Sequence, residues 1–401
     1  MANANGEGSI YKRMRDGKQT GYIGAVSYVD ESGQPKRHMV YGKTRTDVRD
    51  KMKTVRERLD NGASVKDSKR NLADWLAHWR VTTLAASDRK ASTKELYSNL
   101  SRRHLEVDPF GSIGLDKLKP SDVEGLVLAL GAKMKPGSAS ETNPSPSPVR
   151  ALSDATIRQI YTVLRAGLDG AVRDGLLAKN PAAAVKRPGV ARKEARHVEA
   201  VDVTKLLLCA EGLRYRNVLT LVAGTGVRRG EAVAMRWSDI DLEAQVMAVR
   251  GTLGRVNGEL IITEPKTDRS RRSVPLSAPL VSMLRAHRAD QDAERLAAGD
   301  QWQDNNLVFA TESGTPVDPR NVLRTVQIAA QKAGMADVGV HTLRHSAAVA
   351  WLEGQVHIKA VADLLGHSSI AVTGDIYGHT SDTTARSAVD ALADQLGIVD
   401  I

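Results

Sequence analysis

The stretch LLGHSSIAVTGDIYGH, Leu364–His379, decides how this chain is read. Two short apolar runs flank a glycine, so IKAVADLLGHSSIAVT imitates a helix-turn-helix with a glycine turn. The same stretch also gathers His367, a second histidine and a single tyrosine, Tyr377. Tyr377 is either a buried aromatic with a satisfied hydroxyl or a nucleophile, and residues further upstream decide between the two.

Three other islands carry groups suited to phosphate. GTGVRRGEAVAMRW places Arg228 just beyond a glycine-containing turn, with Glu231 three residues on. EPKTDRSRRSVPL sends Lys266 out of one strand ahead of the next, and HTLRHS sets His341 and Arg344 at an i, i+3 interval on one helical face. Each island alone has an ordinary explanation. GTGVRRG imitates a dinucleotide loop, but Arg229 occupies the place of the third glycine and Glu231 repels a pyrophosphate. HTLRH spaces two histidines like a metal pair, yet it lacks the glutamate of a zincin helix. A lysine in a charged turn is usually just solvated. In combination, two arginines, a lysine, two histidines and a tyrosine suit displacement at a phosphodiester: guanidinium forks neutralise non-bridging oxygens, and histidine adds a hydrogen bond or moves a proton. Nothing in this set requires a metal ion or an organic cofactor.

Outward from these islands, residues 197–401 read as one mixed, mainly helical domain, with short strands around Met247 to Leu276 forming a small antiparallel sheet. Before it, NPAAAVKRPGVARKEARHVEA combines Pro, Gly and basic side chains without apolar periodicity, and residues 187–196 are taken as a linker. Residues 70–186 read as an all-α bundle. Its SDATIRQIYTVLRAGLDGAV puts Ile157, Ile160, Tyr161, Leu164 and Leu168 on one stripe, and STKE and SDVE look like capping boxes. The Pro/Ser-rich segment near 131–150 is expected to be a long, mobile insertion between two helices. Residues 1–65 alternate in three short runs separated by RDGK and DESGQP, a three-stranded meander, followed by a helix with Val48, Met52, Val55 and Leu59 on one face. The face of the sheet away from that helix is expected to carry Lys and Arg. Residues 1–70 hold 16 Lys+Arg against 9 Asp+Glu, so +7 of the formal +10 sits in the first sixth of the chain and favours a polyanionic partner.

The motifs in order resemble the tyrosine recombinase (phage integrase) family: an Arg after a TG turn (Arg228), a hairpin Lys (Lys266), His-x-x-Arg (His341, Arg344), GH (His367) and a late Tyr (Tyr377). The amino-terminal module resembles an arm-type DNA-binding domain and the bundle a core-site DNA-binding domain, while the Pro/Ser insertion has no counterpart. The resemblance implies that Tyr377 attacks a scissile phosphate, leaving a 3′-phosphotyrosyl link and a free 5′-hydroxyl. It further implies that Arg228 and Arg344 clamp the phosphate, His341 and His367 donate hydrogen bonds or handle the tyrosine proton, and Lys266 protonates the departing oxygen. Double-stranded DNA with core and arm sites is then the partner, a homotetramer the working assembly, and an accessory directionality factor and a host DNA-bending protein possible helpers. Docking of the tail, with Val389, Leu392 and Leu396 on one stripe, stays open between its own domain and a neighbour. Two rivals stand beside this reading: a type IB-like DNA-relaxing enzyme without synapsis, and a non-catalytic sequence-specific DNA-binding regulator.

Composition agrees with such a protein. A single cysteine, Cys209, excludes a disulfide framework. No long apolar run or signal-like leader occurs, so a cytoplasmic location and no membrane partner are expected.

Overall fold

The computed structural model describes residues 9–15, 18–29, 35–60, 70–136, 147–177, 179–191, 196–264, 271–367 and 369–377, and it divides into two compact units, 1–191 and 192–401.

In the first unit, β1 (Ile10–Arg15), β2 (Lys18–Val29) and β3 (Pro35–Gly42) form an antiparallel meander in the order β1-β2-β3. Helix α1 (Arg45–Asp60) covers one face, where Val48, Met52 and Val55 bury against Val26 and Val40. Strand alternation sends the odd-numbered partners to the open face. Tyr11, Ile23 and Tyr41 stand in register across the three strands, with Arg13 lying 5.1 Å over the Tyr41 ring. The expected Lys and Arg face is therefore mixed: Arg13 and Arg37 share it with exposed Tyr11, Met39 and Tyr41, because Lys12 and Lys36 fall on the other side of the pleat.

The bundle consists of α2 (Leu72–Trp79), α3 (Ala91–Leu100), α4 (Pro120–Ala132) and α5 (Asp154–Arg173). The stripe Ile157, Ile160, Tyr161, Leu164 and Leu168 is buried, and Trp75 and Trp79 fill the centre with it. Trp75 Nε1 donates to the Gly167 carbonyl at 2.8 Å, and the Tyr161 hydroxyl, which has one proton, lies 2.7 Å from the Ala182 carbonyl and 3.0 Å from that of Val185. That contact draws the single turn Pro181–Ala184 onto the bundle. Two expected helix starts shift. STKE lies inside α3, whose cap is Lys90, and in SDVE it is Asp122, not the serine, that accepts from the Lys119 amide at 2.8 Å. The bundle is also not purely helical: β4 (Met134–Lys135) pairs with β5 (Val149–Arg150), so the ends of the Pro/Ser insertion are joined as a short ladder. Its middle, 137–146, lies outside the described residues.

In the second unit, α6 (Ala200–Cys209), α7 (Arg216–Thr225) and α8 (Arg229–Ala232) precede the strands. The expected single sheet is two: β6 (Ile240–Asp241), β7 (Val246–Val249) and β10 (Arg272–Pro275) in the order β10-β7-β6, and a separate hairpin of β8 (Thr252–Val256) and β9 (Glu259–Thr263). Then come α9 (Ala278–Ala298), α10 (Pro319–Lys332), α11 (Val340–Glu353), α12 (Ile358–Leu365) and α13 (Ile370–Tyr377). Met247, Val249 and Val274 from the sheet bury with Leu219, Val222, Leu284, Val322 and Leu343 from the helices, one core that fixes the ends of α7, α11 and β10. The architecture is mixed, mainly helical, with small antiparallel sheets. No described helix is long and apolar enough to cross a membrane.

Candidate active site

The site is organised by the carboxyl end of α12. The last carbonyls of a helix have no partner within it and carry the negative end of its dipole, so cations gather there. Here three successive carbonyls each receive a different arginine. Leu364 O accepts from Arg272 Nε at 2.6 Å, Leu365 O from Arg344 Nη2 at 2.7 Å, and Gly366 O from Arg228 Nη2 at 3.1 Å.

Each arginine arrives on a different element. Helix α7 stops at Gly226, whose φ of 63° lets the chain turn and bury Val227, leaving Arg228 at the start of α8. Arg344 lies in the first half of α11, is 4% exposed, and also donates through Nη1 to the Gly226 carbonyl, tying two islands of sequence together. Arg272 opens β10 and faces inward with Val274. Gly366, with φ 65°, makes room for it: a Cβ there would lie 2.9 Å from Arg272 Nη1.

Glu231 is the counter-charge. Its Oε2 accepts from the Arg228 amide (2.9 Å) and Arg272 Nη2 (2.9 Å), and its Oε1 from Arg228 Nη1 (2.8 Å). Burial alone raises a carboxyl's pKa, but the hydrogen bond and charge of Arg272, followed by the Arg228 amide and charge, outweigh it and hold Glu231 below the ordinary carboxylate value. Two guanidinium charges, Arg228 and Arg272, therefore face one carboxylate, and Arg344 adds a third cation at the same helix end. Arg228 is the most open of them, with 38% of its side chain exposed against 7% for Arg272.

His367 follows the glycine turn. Its Nε2 lies 3.1 Å from Arg344 Nη2, and because a guanidinium only donates, Nε2 is the acceptor. Nδ1 then carries the proton and donates to Thr373 Oγ1 at 2.9 Å. Desolvation, and then Arg344, Arg228 and Arg272, lower its pKa to about 4, so the ring is neutral at pH 7. His341 lies in the first turn of α11; desolvation, and then the cations Arg229, Arg344 and Arg228, also favour its neutral form. His345 is lowered likewise by desolvation and by His341, Arg344 and His197.

Of the six residues singled out in the sequence, the structure brings Arg228, Arg344 and His367 into direct contact through α12 and sets His341 among the same arginines. Tyr377 is the last residue of α13, the helix that follows His367; its side chain lies outside the described residues, as do Lys266 and the tail residues Val389, Leu392 and Leu396. Helices α12 and α13 occupy this stretch, and His367, just past the end of α12, meets Arg344. Sequence reasoning passed over Arg272. The alternation that buries Val274 put Arg272 on the inward side of the same strand, and that was its available signal.

A mainly helical fold thus gathers three arginines and a neutral histidine at one helix end, one helix ahead of a tyrosine. Residues 197–384 match the phage integrase family. It is 28% identical over 367 residues to the tyrosine recombinase XerC-like protein of Caldanaerobacter subterraneus subsp. tengcongensis, covering 86% of this chain and 88% of that one. It is 24% identical to an integrase of Saccharopolyspora erythraea, covering 85% and 89%. Among solved structures, the Tn1549 transposon integrase in complex with a circular intermediate DNA superposes with a TM-score of 0.65 at 20% identity, over 81% of this chain and all of that one. A lambda integrase dimer bound to a core site gives 0.54 at 18% identity, over 92% and 96%. The enzyme is thus a tyrosine-type site-specific recombinase.

Proposed function

We propose that this recombinase integrates and excises a mobile DNA element through a 3′-phosphotyrosyl intermediate. The observation that carries the reading is the convergence of Arg228, Arg344 and His367 on the end of α12, immediately before the helix that ends in Tyr377. Arg228, the open guanidinium, takes the non-bridging oxygens of the scissile phosphate, and Arg344 adds charge from beneath. The Tyr377 oxygen bonds to phosphorus while the bond to the 5′-oxygen breaks. A phenol has a pKa of about 10, so the surrounding cations favour its phenolate, and His341, held neutral, accepts the proton. His367 already accepts from Arg344 and is assigned to orienting it. Lys266 gives a proton to the departing 5′-oxygen. Attack on the phosphotyrosyl bond by a 5′-hydroxyl from a second duplex restores the tyrosine and exchanges the strands.

The assignment of DNA contacts follows the module boundaries. The open face of β1–β3, with its row Tyr11–Ile23–Tyr41 beside Arg13 and Arg37, suits arm-site DNA, and the bundle of 70–186 suits the core site. A Tn1549 integrase and a lambda integrase have been captured on DNA, the latter also as a tetramer on a Holliday junction, and tetrameric assembly on DNA is proposed here by that likeness. Accessory directionality and DNA-bending partners belong to the same proposal. The deciding experiment uses a nicked core-site substrate that traps the covalent adduct, followed by mapping of the adducted peptide. Tyr377→Phe abolishes the adduct while duplex binding persists; an adduct mapped to another residue refutes the reading.

A further inference from the structure

We propose that Arg272 is a positioning residue for strand cleavage: by engaging Glu231 and the Leu364 carbonyl itself, it leaves the charge of Arg228 available to the DNA phosphate. This rests on the reading of Arg228 as the phosphate ligand.

The argument is one of charge balance in a shared ion pair. Glu231 lies between two guanidiniums, with Arg228 Nη1 at 2.8 Å from Oε1, Arg272 Nη2 at 2.9 Å from Oε2 and Arg272 Nη1 at 3.4 Å from Oε1. Were Arg228 the only partner, the two would form a neutral pair. An incoming phosphate would then compete with Glu231 for the same guanidinium while being repelled by a carboxylate it could not displace. With Arg272 present the trio keeps a net positive charge. The burial is asymmetric in the direction this requires: the Glu231 and Arg272 side chains are each 7% exposed, and Arg228 is 38% exposed. The inner two form the closed part of the trio, and the outer one faces solvent.

Arg272 also fixes where that charge sits. Its backbone pairs with Val249 of β7, so its Cα is anchored in the sheet, and its Nε reaches the Leu364 carbonyl at 2.6 Å. The next two carbonyls of the same helix end hold Arg344 and Arg228. Arg272 thus joins the sheet, the acidic residue and the helix end from which the two proposed phosphate ligands hang. A plain structural pin would act through the fold alone, whereas this role acts through the charge on Arg272.

The full-length protein is assayed on a nicked core-site duplex, with single-turnover adduct formation measured at saturating DNA, affinity measured separately, and thermal melting recorded for every variant. Arg272→Gln removes the charge and keeps part of the hydrogen bonding; adduct formation is expected to slow about a hundredfold with affinity changed less than about threefold. Arg272→Lys retains a charge opposite Glu231 and is expected to recover about tenfold of that loss. Adding Glu231→Gln to Arg272→Gln removes the carboxylate that now monopolises Arg228, so the double variant should cleave faster than Arg272→Gln alone, a gain that a lost structural pin cannot give. Cleavage by Arg272→Gln at the parental rate overturns the proposal, and so does a double variant no faster than the single one when both melt within a few degrees of the parent. If Arg272→Gln does not fold, Arg272→Lys decides: a folded, slow Arg272→Lys that Glu231→Gln does not speed up overturns it equally. An Arg228→Ala variant that cleaves normally would instead remove the phosphate-ligand reading on which the proposal stands.

Discussion

Gly366 offers a way to perturb the helix end without replacing any charged residue. Its φ is 65°, and a Cβ built on it lies 2.9 Å from Arg272 Nη1 and 3.1 Å from Arg272 Cζ. Gly258, in the β8–β9 turn, is the control: its φ is 86° and a Cβ there meets nothing within 4 Å. Alanine in the left-handed region costs about 1–2 kcal/mol at either position. For a unit of roughly 200 residues this lowers Tm by about 2–4 °C per kcal/mol, so both variants should melt a few degrees below the parent. Only Gly366→Ala also displaces the Arg272 guanidinium. Loss of one charge-assisted hydrogen bond there is worth about 1.5–3 kcal/mol. If the loss is felt in the transition state, adduct formation slows by about tenfold to a hundredfold. The assay is single-turnover cleavage of the nicked core-site duplex at a temperature well below both melting points. Equal cleavage rates for Gly366→Ala and Gly258→Ala would show that Arg272's placement has no bearing on chemistry.

Other consequences are open to simpler measurements. His367 should titrate near pH 4 by NMR. Because its folded pKa lies below the ordinary 6.5, the unfolded chain takes up its proton first, so its contribution to stability is complete above 6.5 and is eroded as pH falls towards 4; a midpoint at 6.5 contradicts the burial of the ring beside Arg344 and Arg228. Tyr161→Phe leaves the Ala182 and Val185 carbonyls without their shared hydroxyl and should cost about 1–3 kcal/mol in urea unfolding, whereas a change under about 0.3 kcal/mol would show that water replaces it. Removing residues 1–65 should spare core-site cleavage and weaken integration at an extended attachment site, in a manner that grows with salt sensitivity of the parent; unaltered integration would take the arm-binding role away from the sheet.

The helical stripe of α5 and the alternation of β1–β3 were legible because each is a local periodicity, in which a residue's neighbours along the chain already fix which side it faces. The same alternation, carried strand by strand, would have shown that Tyr11, Ile23 and Tyr41 share the open face with Arg13, but charge counting alone averages over both faces. The insertion was half legible: Pro and Ser marked the interruption, while the β4–β5 pairing that closes it depends on two dipeptides 14 residues apart, with no composition of their own.

The sequence by itself determined which chemical groups are present and in what order: arginines, histidines and a tyrosine in spaced motifs that read as phosphodiester chemistry. Tertiary structure alone decided how they meet. Three arginines reach consecutive carbonyls of α12 from positions 92, 21 and 138 residues away along the chain, and Arg272 joins the group through Glu231, 41 residues distant. The acceptors are backbone atoms, which every residue possesses and no motif records. They become a cation site only when packing brings a helix terminus, with its unpaired carbonyls, to the place where the arginines converge.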